Sequence, residues 1–180
     1  MNLSDHFLLA MPGQIGGPFG GSIVYVCQHN PDGAFGLVVN KLSELSLSAL
    51  CDELKLPAPE YDAQLHDGGP VDPGRGFILH SPERRYEGSI DVSDAVVLSA
   101  SSDALVDIGS GDGPSQVLMT LGYAGWGPGQ LDAELQTDAW LTCPGDPAVL
   151  FNTPIEQRVQ RAADSLGVDF RLISPQSGNA

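Results

Sequence analysis

The amino-acid sequence predicts an α+β fold: a single domain with a mixed, largely antiparallel sheet and flanking helices. Three observations carry this. Strand-like and helix-like segments follow one another irregularly, without the steady strand–helix–strand alternation of a doubly wound sheet. Residues 22–40, SIVYVCQHNPDGAFGLVVN, hold two apolar runs around a tight turn, the signature of a β-hairpin. Glycine and proline number 22 and 14 in 180 residues, so the chain turns often and its helices are short. This length fits one domain, 1–180, burying roughly 70% of its unfolded surface. Residues 175–180, PQSGNA, read as a polar tail.

HFLLAM (6–11) reads as a first short strand and PGQIGGPFGG (12–21) as a glycine-rich loop. SIVYVCQ (22–28) is apolar and β-branched, the pattern of a strand buried on both faces. NPDG (30–33) has the residue order of a type I turn, and AFGLVVN (34–40) returns as the second strand. SLSALCDELKL (46–56) spaces Leu47, Leu50 and Leu54 helically, with Ser46 as N-cap and Pro57 as stop. Residues 57–74 read as connectors, RGFILHS (75–81) as a third apolar strand, and 89–101 as one or two short strands. SSDALVDIGSG (101–111) suits a helix capped by Ser101 or Ser102.

PSQVLMTLGYAG (114–125) is strand-like until Gly122, and LGYAGWGPG then reads as a strand-to-helix turn into PGQLDAELQTD (128–138). AWLTC (139–143) and AVLF (148–151) read as strands. TPIE (153–156) forms a capping box, with Thr153 as N-cap, Pro154 at the first helical position and Glu156 two further on. Ile155, Val159, Ala162, Ala163 and Leu166 mark that helix's apolar face, Gly167 ends it, and VDFRLIS (168–174) closes as a strand.

Charge excludes more than it assigns. The net charge is −15, and no Lys or Arg occurs from Tyr86 to Gln157. Nucleic-acid affinity rests first on Lys and Arg at phosphates, so direct DNA binding is not expected, nor is docking on an anionic membrane. The longest apolar runs are too short to span a bilayer, and the first residues lack a basic signal-peptide region, which reads as cytoplasmic. Cys27, Cys51 and Cys143 form no C-x-x-C or zinc spacing and read as buried free thiols.

There is no G-x-S-x-G elbow, no P-loop, no H-E-x-x-H and no EF-hand loop, so no catalytic residue, metal or cofactor is assigned. Polar groups at the ends of apolar strands are the candidates that remain: His29, Asn30, Asn40 and His80, with the turn glycines Gly68 and Gly69. Tyr123 and Trp126 join them, since each can bury a ring and present a polar tip. These eight could line a small-ligand pocket. His29 and His80, with Asp67 or Asp72, could instead serve a small hydrolase or metal enzyme. The strand-end residues more often satisfy free backbone groups instead. The glycine-rich turn is either a packing device or a site. On the packing reading Trp126 is at least half buried and seats the 128–138 helix, with Gly125 and Gly127 in conformations suited to glycine.

Several strings resemble the AlgH/YqgE family of bacterial cytoplasmic proteins, which has no established biochemical activity. They are HFLLAMP, SIVYVCQHNPDGAFGLVVNK, GGPV followed by GFILH, LGYAGWGPGQLDAELQTDAWL, and LGVDFRLIS with the final GNA. The chain departs from the family pattern at Asp132 (usually Glu), at residues such as Val159 (often a tryptophan in the last helix) and at Asn179 (usually His). The resemblance implies a partly barrel-like sheet with helices outside, and a label of transcriptional regulator. With this charge, any such regulation is indirect. The expected function is a non-enzymatic regulatory or adaptor protein acting through a protein partner or a small-molecule ligand.

Overall fold

The computed structural model describes residues 2–172. The apolar hairpin forms as expected, from β2 (Ile23–Asn30) and β3 (Gly33–Val38), with Asn30 Oδ1 accepting from Asp32 N–H across the turn (2.8 Å). β1 (His6–Ala10) pairs with β2 on one side and β10 (Trp140–Pro144) on the other, all antiparallel. From Ile23 to Cys27 every residue of β2 is buried, because both faces are covered. Ile23, Tyr25 and Cys27 pack with Phe7, Leu37 and Phe77 on one face. Val24 and Val26 pack with Leu8, Trp126 and Trp140 on the other.

The strands run in the order β10-β1-β2-β3-β9-β6-β8-β7, a curled half-barrel in an α+β domain. β6 is Val71–His80, β7 is Ile90–Asp91, β8 is Val97–Ser99 and β9 is Val117–Trp126. A side ribbon of β4 (Leu42–Ser46) and β5 (Gln64–Asp67) joins β9 through the one parallel pairing described, His66 opposite Thr120. Helices α1 (Leu47–Glu53) and α2 (Ser102–Gly109) cover β6 and β9 through a third apolar cluster that includes Leu47, Leu50, Leu105, Ile108, Ile78 and Met119. Ser46 caps α1 as expected, accepting from Ala49 N–H.

Three glycines hold the centre together. Gly68 N–H donates to Leu121 O (2.7 Å), and Gly68 O accepts from Val38 N–H (2.8 Å), so the GGP turn is clamped between β3 and β9. A Cβ on Gly68 would overlap Gly122 O, one on Gly69 would overlap Tyr123 O, and one on Gly122 would overlap Gly69 O. Gly69 and Gly122 also have φ of 146° and 75°, where side chains are strained.

Five expectations are corrected. Residues 57–74 are not connector throughout: Gln64–Asp67 form β5 and Val71 begins β6, because both segments pair with β9. β9 does not stop at Gly122 but continues through Trp126, because Ala124–Trp126 pair with β3. Residues 148–151 form a helix, α4 (Pro147–Phe151), because Asp146 accepts from Ala148 N–H and Pro147 starts the turn. Thr153 donates its hydroxyl to Ala148 O instead of capping, so a 3-10 turn (Ile155–Gln157) precedes α5 (Arg158–Asp164). Phe170–Leu172 form a 3-10 turn where a strand was expected; the rest of that strand and the polar tail, 173–180, lie outside the described residues.

Replacing Gly122 by Ala combines backbone strain with a backbone clash, whereas Gly129, at φ 71°, has open space around a Cβ. Gly129→Ala is expected to cost about 1–2 kcal/mol, the left-handed penalty alone. Gly122→Ala costs clearly more, and comparing the two urea midpoints checks it.

Candidate functional site

The polar groups at the strand ends are tied into the fold. His29 is buried; its Nδ1 accepts from Leu3 N–H (3.0 Å), its backbone N–H donates to Ser4 Oγ (3.0 Å), and its Nε2 lies 3.6 Å from Asp132. Asn40 links the hairpin to the preceding loop, accepting from Ile23 N–H (3.1 Å) and donating to Gly21 O (2.9 Å). His80 is fully buried. Its Nδ1–H donates to Ser81 O (2.8 Å), and its Nε2 accepts from Ser99 Oγ (2.7 Å), which in turn meets Ser89 Oγ (2.7 Å). Burial holds this imidazole below its ordinary pKa, which favours the neutral ring.

His80 pairs with Val117 at one end of β9, while His29 lies across Ala34 from Trp126 at the other. Nine strand steps separate those ends, roughly 30 Å. The two histidines therefore cannot meet at one ion or one substrate atom. Among the described residues no group of three or more His, Cys, Asp or Glu has the geometry to hold a metal. The three cysteines are free and buried, and burial raises each thiol, Cys143 to about 11.

Trp126 is 7% exposed and packs edge-on to Trp140 at 6.1 Å. Both indole N–H groups donate to Glu134 Oε1, at 3.2 and 2.9 Å. Glu134 belongs to α3 (Gln130–Gln136), so one carboxylate seats the helix on β9 and β10 together. The glycines that this turn needs are Gly122 and Gly129, both at positive φ, and not Gly125 or Gly127. Tyr123 stacks in an aromatic group with Phe35 (4.8 Å) and Phe77 (5.7 Å). Of the eight sequence candidates, Asn30 and Trp126 line one hollow together, of about 220 Å³, and Gly69 lines another of about 190 Å³.

A larger cleft lies elsewhere. Val71 pairs with Tyr123 and Gly76 with Leu121, so β6 takes five steps where β9 takes two. The surplus, Asp72–Arg75, bulges outward, with Asp72 at φ 45°. It floors a cleft of about 590 Å³ walled by Leu54, Ile78, Ser101, Ser102 and Leu105. Ser101, the N-cap of α2, makes no side-chain cap, and its Oγ is buried without a hydrogen-bond partner. Arg75 lines both this cleft and an adjoining hollow of about 200 Å³, and its guanidinium lies 5.2 Å above the ring of Phe77, which lines the hollow. Asp72 and the Ser101–Ser102 pair stood out in the sequence, but for other roles. Leu54 also stood out, as part of an apolar helix face, while Arg75 carried no signal, since a bulge is set by distant pairing.

A family model described as AlgH-like matches residues 7–171. The chain belongs to the AlgH-like family. It is 44% identical over 182 residues to a UPF0301 protein of Pseudomonas syringae pv. syringae, covering 99% of this chain and 96% of the relative. A UPF0301 protein of Chromobacterium violaceum is 42% identical, with 100% and 98% covered. The solution structure of the AlgH protein from Pseudomonas aeruginosa superposes with a TM-score of 0.83 at 42% identity, covering 100% of this chain and 97% of that one. A crystal structure from Corynebacterium diphtheriae shares the fold, with a TM-score of 0.71 at 18% identity over 88% of this chain and 86% of that one. Among the described residues of this AlgH-family chain, no helix is long and apolar enough to cross a membrane.

Two outcomes are expected from these contacts. Trp126→Ala removes a buried ring and should cost about 3–5 kcal/mol; an unchanged denaturation midpoint would contradict the packing role. His66 donates Nδ1–H to Met119 O (3.2 Å) and accepts at Nε2 from Arg158 (2.9 Å), which also binds Val39 O and Thr153 O. Burial, then the Arg158 charge, pushes His66 down to about 4. The unfolded chain takes up that proton near pH 6.5 and the native chain only near 4, so the stabilisation is complete above 6.5 and lost as pH falls to about 4. Allowing for partial exposure, the loss is about 1–3 kcal/mol. In His66→Asn, urea midpoints measured across that window should show a shallower pH slope.

Proposed function

We propose that this AlgH-family protein acts by binding and not by chemistry, as a regulatory or adaptor protein whose cleft takes a small molecule. The carrying observation is the cleft of about 590 Å³ between the β6 bulge, α1 and α2, within the ordinary size range of small-molecule sites. The strand-end histidines support the reading, because their ring nitrogens serve the fold. A hydrolase or metal enzyme built on His29 and His80 is disfavoured by their separation. The acidic balance favours action through a protein partner over direct contact with DNA. Three buried free thiols suit the reducing bacterial cytoplasm, where we place the protein.

A thermal-shift screen of metabolites tests the reading against Gly74→Trp. Gly74 lines the cleft, and a Cβ there meets nothing within 4 Å, so the indole should fill the site without disturbing the fold. A compound at 100 Kd should stabilise the wild type by about 2.7 kcal/mol and leave the variant unmoved. Hits that stabilise both proteins equally would place binding elsewhere and overturn the reading.

A further inference from the structure

The cleft also shows what kind of molecule it suits, on the reading that it is the binding site. Arg75 is set apart from most other arginines of this chain. Arg84, Arg85 and Arg171 pair with Asp107, Asp91 and Asp169, and Arg158 is engaged by two carbonyls and His66. Among the described residues Arg75 forms no ion pair and no side-chain hydrogen bond, only its contact over Phe77, although the chain carries 23 acids against 8 bases. Its guanidinium fork is free to take a carboxylate in two parallel hydrogen bonds.

The same cleft is bordered by the start of α2, where no side chain caps the first turn and the Ser101 hydroxyl is buried and unsatisfied. First-turn N–H groups favour negative charge. The remaining wall is apolar: Ile78, Leu105 and Leu54, which is 45% exposed. Two features limit the charge that can enter. Asp72 borders the cleft and Asp103 sits in the first turn of α2, so each further negative charge on a ligand meets two carboxylates and a net −15 chain.

We propose that the cleft takes a small monoanionic carboxylate with an apolar body, the carboxylate on Arg75 and the α2 start, the body against Leu54, Ile78 and Leu105. Octanoate is the probe, with octanol, octylammonium and octyl phosphate as comparisons, titrated against the full chain by calorimetry and by amide chemical shifts. Octanoate should bind at least tenfold tighter than octanol and octyl phosphate, move amides of 72–76 and 100–105, and exceed octylammonium by more. Arg75→Met keeps most of the stem but loses the fork, and should bring octanoate down to the affinity of octanol while leaving octanol unchanged. Gly74→Trp should abolish both.

Equal affinity for octanol and octanoate in the wild type would overturn the carboxylate assignment and leave the cleft as the binding site. Tighter octyl phosphate would overturn the single-charge assignment. Octanoate binding that Gly74→Trp does not weaken would overturn the cleft itself. No saturable octanoate binding at millimolar concentration would overturn this inference, while metabolite hits sensitive to Gly74→Trp would keep the broader reading.

Discussion

The fold depends on one steric constraint, the contact between the Gly68–Gly69 turn and Gly122 of β9. Side chains normally keep crossing backbones apart, and here all three positions must lack one. The contact lets Gly68 bridge β3 and β9 by two short hydrogen bonds. It brings β5 alongside β9 in parallel and delivers the chain into β6 at Val71. The bulge at Asp72–Arg75 follows directly, since β6 leaves the crossing at Tyr123 and resumes regular pairing only at Gly76. The cleft is thus a by-product of the crossing: the same glycines that close the sheet force out the segment that floors the cleft.

Where buried strands end, their free backbone groups must be satisfied, and the sequence supplies His29, Asn40 and His80 there. A polar residue at a strand end is what a binding site needs and also what an intact fold needs, and the residue type alone does not separate the two uses. The partners decide. Leu3 N–H, Ile23 N–H and Ser81 O are backbone groups of the fold itself, so these three side chains serve mainly as structural connectors.

Local chemistry was legible in the sequence and long-range pairing was not. The hairpin at 22–40, the Ser46 cap, the buried β2 and the buried Trp126 each follow from residues within one element. The helix at Pro147–Phe151 is also locally encoded, by Asp146 and Pro147, although its apolar AVLF run has the look of a short strand. What could not be read was which glycine touches which backbone. Gly125 and Gly122 look alike in LGYAGWG, and only the approach of residues 68–69 makes Gly122 the essential one. The cleft shares that limit: its lining comes from α1, β6 and the β8–α2 junction, which are distant in sequence.

The acidic composition divides into two physical roles. Some carboxylates accept from the polar tips of packed aromatics: Asp5 from Tyr25, Asp107 from Tyr86, and Glu134 from both Trp126 and Trp140. They let rings enter the core without stranding a donor, so they are part of the packing. The others, including Asp146 at the start of α4 and Asp91 and Asp169 beside arginines, add up with the excess of 23 acids over 8 bases to a long-range negative potential. Near Arg75 the two ranges oppose each other: attraction to the guanidinium acts within a few ångströms, while repulsion from the remaining acids extends over about a Debye length, roughly 10 Å at 0.1 M salt. Added salt screens the second more than the first when the ligand sits against the guanidinium. A surface of this kind repels polyanions such as nucleic acids at a distance and still leaves one close-range contact for a small, singly charged molecule.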